Sequence, residues 1–295
     1  MSKLDKIFKN SKKYHIDDNT KLVIMSDCHR GTGDNFDNFV KNKNIVLAAL
    51  RHYYINGFTY IELGDGDEMW EVDDYKDIVK EHIDTFRILK KFNDSKRLIM
   101  VYGNHDIVKR KPKVLEDTFH KYYNNITNKN EDLLTDLKVY ESLVLDYKDH
   151  DIFLIHGHQV DLLNSTFWYL AAFLVNHLWK PLENIGIKDP TSAAKNYQVT
   201  KKTEKKLKKW SMINNKMLIA GHTHRPIFPK IGQSLYFNDG SCIHPNGITC
   251  IEIENGKITL VKWSFNISND KILFVERKIV EGKEPIINFF LNKTY

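Results

Sequence analysis

Five short polar motifs, each directly after an apolar segment, constrain the fold of this chain more than any other feature. They are Asp27-Cys28-His29, Gly64-Asp65, Gly103-Asn104-His105-Asp106, His156-Gly157-His158 and Gly221-His222-Thr223-His224. The apolar segment before the first motif, residues 21–26, is typical of a strand buried on both faces. Ligand sites in open α/β sheets lie at the carboxyl ends of the strands. We therefore expect the five motifs to meet at one edge of the sheet structure.

Hydrophobic periodicity divides the chain into a half with alternating strands and helices and a second, β-rich half. Strand patterns at 21–26, 60–63 and 98–102 alternate with helix patterns at 38–54 and 73–92, which implies parallel strands with crossover helices. Further strand patterns follow at 139–147, 151–155, 217–220, 234–237, 248–254 and 257–265. Residues 159–215 are helical in pattern and interrupt the strands. We predict a core of residues 1–158 and 216–295, with residues 159–215 inserted as a helical cap.

The motifs share side chains that bind divalent metal ions. Carboxylate, imidazole and amide oxygen ligands suit Mn²⁺, Fe²⁺, Zn²⁺ or Mg²⁺, and the absence of cysteine ligands disfavours a closed structural zinc site. Each motif alone is weak evidence, because such short patterns often occur by chance. Their order, strand context and ligand chemistry agree, and together they predict one metal site.

The order of the motifs resembles that of the calcineurin-like metallophosphoesterase superfamily over almost the whole chain. The resemblance implies an α/β (α+β) fold, a four-layer α/β/β/α sandwich with two divalent metal ions; manganese is the expected metal, and iron, zinc or magnesium are alternatives. It implies that one ion is bound by Asp27, His29, Asp65 and His224, and the other by Asp65, Asn104, His156 and His222. The bridging Asp65 and His105, which matches the superfamily's histidine beside the substrate phosphate, are the expected catalytic residues.

A closer resemblance is to the bacterial UDP-2,3-diacylglucosamine diphosphatases. It rests on residues 64–74, Gly-Asp-Gly-Asp-Glu-Met-Trp-Glu-Val-Asp-Asp, and on a helical insertion before the final Gly-His-Thr-His-Arg-Pro motif. This chain has His105 where those enzymes usually have arginine, and His158 where they usually have aspartate. A lipid-linked nucleotide sugar is therefore one of several candidate substrates.

The expected activity is hydrolysis of a phosphoester or diphosphate, with phosphodiesters or pyrophosphates favoured over monoesters. Two metal ions about 3.5–4 Å apart clamp a phosphoryl group and supply a bridging hydroxide for in-line attack on phosphorus. His105, as an imidazolium, is expected to stabilise phosphoryl oxygens or protonate the leaving group. The alternatives are a UDP-2,3-diacylglucosamine-type diphosphatase and a nuclease of the same superfamily. A non-catalytic protein is disfavoured, because all seven ligand positions are filled.

Several residues near the motifs are weaker candidates for contacts around the site. Contacts with substrate are predicted for Arg30, His158, Lys195 and Arg225. Asp106 is predicted to orient His105 or a neighbouring backbone turn. For Glu68 we favour a cap on the following helix over a role in catalysis.

Charge and composition limit the expected partners. The chain has 295 residues, a net charge of +6 and two lysine runs, at residues 3–13 and 201–209, which we interpret as solvated helix faces. Nucleic acid is disfavoured as a partner because acidic residues at 65–77 border the site. Three cysteines without CxxC spacing are typical of reduced thiols, so we expect a cytoplasmic protein. The apolar residues at 167–179 predict either packing of the cap on the core or a peripheral contact with acyl chains or a membrane.

Overall fold

The computed structural model describes residues 1–34, 37–161 and 197–291 of the chain. Within these ranges the helices are α1 (Lys3–Asn10), α2 (Lys43–Ile55), α3 (Tyr75–Glu81), α4 (Ile83–Asp94), α5 (Pro112–Phe119), α6 (Tyr197–Asn214) and α7 (Asn288–Leu291). The strands are β1 (Lys12–Ile16), β2 (Leu22–Met25), β3 (Thr59–Leu63), β4 (Leu98–Val101), β5 (Lys121–Asn124), β6 (Lys129–Asp132), β7 (Val139–Tyr140), β8 (Ser142–Tyr147), β9 (His150–Ile155), β10 (Met217–Ala220), β11 (Tyr236–Asn238), β12 (Ile248–Glu254), β13 (Lys257–Ile267) and β14 (Leu273–Pro285).

The strands form two large sheets and one small hairpin. The first sheet has the order β14-β13-β12-β2-β3-β4-β7, and the second has the order β1-β8-β9-β10-β11. Strands β2, β3 and β4 are parallel, as their alternation with helices predicts. The single strand predicted at 139–147 is wrong, because β7 pairs with β4 in the first sheet whereas β8 pairs with β9 in the second. The chain thus passes from one sheet to the other between these two short strands.

Three hydrophobic clusters separate four layers. The first packs helices α2, α4 and α5 on the first sheet, the second lies between the two sheets, and the third packs α1 and α6 on the outer face of the second sheet. The order of layers is therefore helices, sheet, sheet, helices, and the predicted four-layer sandwich is confirmed.

Strand β2 shows how the sequence produces this layering. All four of its residues are buried, and successive side chains of a strand point to opposite faces. Val23 and Met25 belong to the cluster under the helices, while Leu22 and Ile24 belong to the cluster between the sheets. A continuous apolar segment is what a strand at the centre of such a sandwich requires.

The prediction of one long helix at 73–92 is wrong in one respect, because the helix is interrupted at His82. This residue has φ −107° and ψ 31° and separates α3 from α4. Its side chain is fully buried, and its Nε2 lies 2.6 Å from Oδ2 of Asp37. The backbone departs from helical geometry at the residue whose ring makes this buried contact, a pairing that periodicity alone does not show.

The predicted cap falls only partly within the described residues. Helix α6 covers its carboxyl-terminal part and packs on the second sheet through Leu207 and Trp210. Lys195 and the apolar residues at 167–179 lie outside the described residues, so the division into core and cap stays a prediction. No helix in the described ranges is both long and apolar enough to cross a membrane.

Candidate metal centre

The five motifs converge at the carboxyl ends of strands from both sheets. Strands β2, β3 and β4 of the first sheet and β9 and β10 of the second each end one or two residues before the first residue of a motif. Three compact groups of metal-ligating atoms result, and within each group the atoms lie within 4.8 Å of one another. One group contains Asp27, His29 and His224, a second contains Asp65, His156 and His222, and a third contains His29, Asp65 and His105. The first two groups each contain three members of a ligand set that the resemblance implies, and the third places His105 beside ligands of both sets.

The backbone of the motifs is unusual. Five of the seven predicted ligands have left-handed backbone conformations with positive φ, namely Asp27, His29, Asp65, His222 and His224, with φ between 48° and 67°. Residues other than glycine adopt this region rarely. Such conformations persist only where surrounding contacts enforce them, and they cluster at functional sites. The sandwich therefore holds these loops in a conformation that the loops alone would not prefer.

Two positions in the motifs require glycine because another ligand side chain lies directly against the backbone there. A Cβ atom at Gly103 would overlap the carboxylate of Asp65, and a Cβ at Gly64 would come within 2.5 Å of Nδ1 of His156. Gly64 also has φ +91°, a conformation that other residues avoid. These glycines let the loops after β3, β4 and β9 come close enough to share ligands.

Asp27 and Asp65 each accept a backbone N–H with one carboxylate oxygen and place the other oxygen near imidazole nitrogens. Oδ2 of Asp27 accepts the backbone N–H of His222 at 2.9 Å, while its Oδ1 lies 3.0 Å from Nε2 of His224. Oδ1 of Asp65 accepts a backbone N–H at 2.8 Å. Oδ2 of Asp65 lies 3.0 Å from Nε2 of His156 and 3.9 Å from Nε2 of His29. Asp65 thus faces one histidine of each expected ligand set, His29 and His156, as a bridging carboxylate must.

Five potential ligand atoms of this site are buried without a hydrogen-bond partner in the described part of the chain. They are Oδ1 of Asp27, Nε2 of His29, Oδ1 of Asn104, Nε2 of His156 and Nε2 of His222. Leaving a buried polar atom unsatisfied costs about 1–3 kcal/mol. Oxygen and imidazole nitrogen atoms gathered in this way suit divalent cations of intermediate hardness. The donor set therefore fits the metal pair that the sequence predicts.

The other nitrogen of two ligand imidazoles is engaged so that Nε2 stays available. Nδ1 of His156 lies 2.9 Å from the carbonyl oxygen of Leu63, and Nδ1 of His29 lies 3.0 Å from Oε2 of Glu68. A hydrogen bond of this kind from Nδ1–H fixes the tautomer and the orientation of a metal-binding histidine. The carbonyl and the carboxylate thus prepare both rings to bind through Nε2.

The predicted helix-capping role of Glu68 is wrong. Helix α3 begins at Tyr75, and its N-cap is Asp74, whose side chain accepts from the backbone of Lys76. Glu68 is buried and contacts both His29 and His105; its Oε1 lies 2.8 Å from Nδ1 of His105. The signal in the sequence that could have indicated its role is its place three residues after Asp65 in the same loop.

Charge and stacking both fix His105. Burial lowers the pKa of His105, but the negative charges of Glu68 and Asp65 outweigh it and raise the pKa to about 9. Burial raises the pKa of Glu68, but His105 and His29 lower it to about 2. Trp70 stacks on His105 with ring centroids 4.1 Å apart and planes inclined by 24°. The imidazolium is therefore held at one position beside the metal ligands.

Behind the ligands lies a buried network of charges. The guanidinium of Arg30 donates to both oxygens of Glu62 at 2.8 Å and to Asp67 at 2.6 Å. Nζ of Lys109 lies 2.6 Å from Asp67 and 2.8 Å from Asp106. All five side chains are at most 2% exposed. The predicted phosphate contact of Arg30 does not fit this geometry, because its guanidinium is enclosed by two carboxylates.

Asp106 links this network to the ligand loops. Of the two contacts predicted for it, the structure contains the one with a backbone turn. Its carboxylate accepts the backbone N–H of Gly103 at 2.7 Å, of Gly66 at 3.1 Å and of Asp65 at 3.3 Å. One carboxylate thereby holds the loop after β3 against the loop after β4.

The remaining predicted substrate contacts differ in their placement. His158 is buried, and its ring centroid lies 5.5 Å from that of His156. The side chain of Arg225 is half exposed, and its Nη1 lies 3.6 Å from Oε2 of Glu204. Lys195 lies outside the described residues. For these three residues a contact with substrate stays a prediction.

Replacing Lys109 by methionine should destabilise the protein. The change leaves Asp67 and Asp106 buried without their ammonium partner, at a cost of about 3–5 kcal/mol. Chemical unfolding of the metal-free protein measures this directly. The matched control is Lys113→Met at an exposed position of α5, which should change stability by less than about 0.5 kcal/mol. Equal effects of the two substitutions would contradict the role given to the network.

The solved structures that resemble this chain are distant from it in sequence. Among solved structures, a predicted phosphoesterase of Streptococcus pneumoniae is 16% identical, with a TM-score of 0.34 and coverage of 88% of this chain and 97% of that chain. Vps29 of Chaetomium thermophilum is 10% identical (TM-score 0.43, coverage 88% and 96%), and a cold-active protein-tyrosine phosphatase of Shewanella is 13% identical (TM-score 0.42, coverage 92% and 82%). No curated protein matches. The model of the calcineurin-like phosphoesterase superfamily domain matches residues 21–255, and the chain therefore belongs to that superfamily.

Proposed function

We propose that this protein is a dinuclear metal-dependent hydrolase of phosphodiesters or of substituted diphosphates. The observation that carries the proposal is the convergence of unpartnered buried ligand atoms on both sides of Asp65. One ion would be held by Asp27, His29, Asp65 and His224, and the other by Asp65, Asn104, His156 and His222. Membership of the calcineurin-like phosphoesterase superfamily supports phosphoester hydrolysis as the reaction.

The chain's own residues have distinct tasks in this reaction. Divalent cations in such a site polarise phosphoryl oxygens and lower the pKa of bound water. The loops after the strands fix the ligands before substrate arrives, so little reorganisation accompanies the reaction. His105, whose pKa the neighbouring Glu68 and Asp65 raise, would donate a proton to a phosphoryl oxygen or to the departing oxygen. Glu68 orients His105 and His29 together, and so couples proton donation to the geometry of the ligands.

The charge balance supports substrates with one negative charge on each phosphorus. Arg30 and Lys109 are buried beside the site, but both are matched by carboxylates. His105 is matched as well, by Glu68 at 2.7 Å, so bound metal ions would supply the positive charge that the substrate meets next to the ligands. A phosphodiester, or a diphosphate substituted at both ends, carries one charge per phosphorus, whereas a monoester dianion carries two. The site thus favours the first two substrates.

Substituted diphosphates include a lipid-linked nucleotide sugar, which is the second candidate substrate. The specific observation in its favour is the segment at 64–74, which resembles the UDP-2,3-diacylglucosamine diphosphatases. That segment contains Asp65, Glu68 and Trp70, all of which lie at or beside the metal ligands. A nuclease activity would require in addition a steep decrease of activity with salt.

A hydrolysis panel on metal-reconstituted protein tests the proposal. Bis(p-nitrophenyl) phosphate and p-nitrophenyl phosphate share a leaving group, so their ratio of kcat/KM reports the preference for diester over monoester. We expect the diester to react at least about tenfold better. A monoester preference would contradict the proposal. UDP-sugars with and without acyl chains test the second candidate substrate. Only an enzyme specific for a lipid-linked nucleotide sugar requires both the nucleotide sugar and the acyl chains.

Replacing His105 by asparagine should reduce turnover and leave the metal content unchanged. Loss of a positioned proton donor typically lowers the rate about 10²–10⁴-fold. His15→Asn is the matched control, because the side chain of His15 is 77% exposed and remote from the ligand sets. Steady-state kinetics together with elemental analysis provide both readouts. Parallel loss of metal and activity would show that His105 acts as a ligand and not as a proton donor.

Glu68→Gln separates the two tasks of the carboxylate. Because Glu68 contacts His29 as well as His105, this change should weaken metal binding and also lower turnover. Outer partners of metal ligands typically contribute about 10–100-fold to affinity or activity. A normal metal affinity in this variant would show that Glu68 acts only on His105 and does not contribute to metal binding through His29.

A further inference from the structure

The fold brings the two lysine runs together on one surface. Helices α1 and α6 both pack on the outer face of the second sheet. Nε1 of Trp210 on α6 donates to Oδ1 of Asp5 on α1 at 2.7 Å, and the rings of Trp210 and Phe8 lie 5.8 Å apart. Although about 190 residues separate them in sequence, the two helices are therefore neighbours.

The outward side of these helices is formed by lysine. Each helix buries one stripe, which includes Leu4 and Ile7 on α1 and Leu207 and Trp210 on α6. The exposed positions hold nine lysines, Lys3, Lys6, Lys9, Lys201, Lys202, Lys205, Lys206, Lys208 and Lys209. We call this set the lysine face.

The charge of the lysine face exceeds that of the whole protein. The two helices contain nine lysines and only two carboxylates, Asp5 and Glu204, a net charge of +7, whereas the whole chain has +6. Asp5 is bound to Trp210, and Glu204 lies 3.6 Å from Arg225. The rest of the protein is therefore close to neutral. An ordinary solvated surface does not require so much positive charge in one place. Such a concentration of positive charge is typical of a surface that binds a polyanion.

The lysine face adjoins the metal centre. The 3-10 turn His158–Val160 begins two residues after His156, and both helices contact it. Nζ of Lys206 donates to the carbonyl oxygen of Val160 at 2.9 Å. An anionic surface bound to the lysine face would therefore lie beside the carboxyl ends of the strands that hold the ligands.

From this arrangement we infer that the lysine face binds the surface of an anionic lipid bilayer. Clusters of four to eight basic residues attract anionic bilayers with about 1 kcal/mol per lysine near the surface. Lysine is a compact, hydrated charge suited to such diffuse attraction, whereas arginine provides the planar contacts of base recognition. The described side chains that would stack on bases, Phe8 and Trp210, are packed against Phe153 and each other, which disfavours a single-stranded nucleic acid as the partner.

Vesicle co-sedimentation of the full chain tests this inference. The probes are phosphatidylcholine vesicles and vesicles in which about one third of the lipid is phosphatidylglycerol. We expect binding to the anionic vesicles to be at least about tenfold stronger, and to be lost as salt shortens the Debye length to about 3 Å at 1 M. Equal binding to both kinds of vesicle would overturn the inference.

Charge-reversal variants with the same net charge locate the binding surface. The test variant carries Lys6→Glu, Lys202→Glu, Lys205→Glu and Lys209→Glu. The matched control carries Lys41→Glu, Lys91→Glu, Lys113→Glu and Lys129→Glu, four exposed positions on other elements. We expect the test variant to lose at least about tenfold in vesicle affinity and the control to lose less than about threefold. Equal losses would show that only net charge matters and would overturn the inference.

Two further measurements complete the test. Replacing the four lysines of the test variant by glutamine should give an intermediate loss, which guards against misfolding of the glutamate variant. A DNA duplex and a single strand are titrated under the same conditions. Binding to nucleic acid without binding to anionic vesicles would overturn the inference. Because the readout is binding, its result is independent of the hydrolytic activity proposed above.

Discussion

The close approach of buried carboxylate, amide and imidazole groups around Asp65 is the constraint on which the rest of the structure depends. Atoms of this kind, placed together without hydrogen bonds, carry a free-energy cost that bound cations remove. The surrounding features serve to maintain this approach. Glycines allow the loops to meet, left-handed residues turn them, and a carbonyl and a carboxylate orient the rings. The candidate metal centre is thus a property of the whole sandwich and not of one loop.

The buried charge network supports the ligand loops from behind. Asp106 accepts backbone N–H groups from two different loops, and Lys109 and Arg30 offset most of the negative charge of Asp106, Asp67 and Glu62. Buried ion pairs contribute little net stability compared with apolar packing, but removal of one partner is costly. The network therefore acts mainly to specify one arrangement of the loops.

The strand ends that gather the polar motifs follow from local sequence patterns, whereas the four layers and the division of the ligands into two sets were implied by the resemblance to the calcineurin-like metallophosphoesterases. When Asp-x-His or Gly-Asp follows a continuous apolar strand, the polar residues lie at the end of that strand. This placement depends only on residues that are neighbours in sequence. Three features could not be read in this way. The contact between Glu68 and His105, the enclosure of Arg30 and the break at His82 each depend on a residue distant in sequence. The two lysine runs are likewise distant in sequence, and only the packing of α1 and α6 on one sheet makes them a single surface.

The most direct test of this account is the metal stoichiometry of wild-type protein and of an Asp65→Asn variant, with Asp84→Asn at an exposed position of α4 as the control. Metal-free protein is titrated with Mn²⁺ and analysed calorimetrically and by elemental analysis. The account predicts about two ions per chain for the wild type and the control, and weakened binding at both positions in the Asp65 variant. Uptake of no ion or of a single ion by the wild type, or unchanged binding by the Asp65 variant, would contradict it.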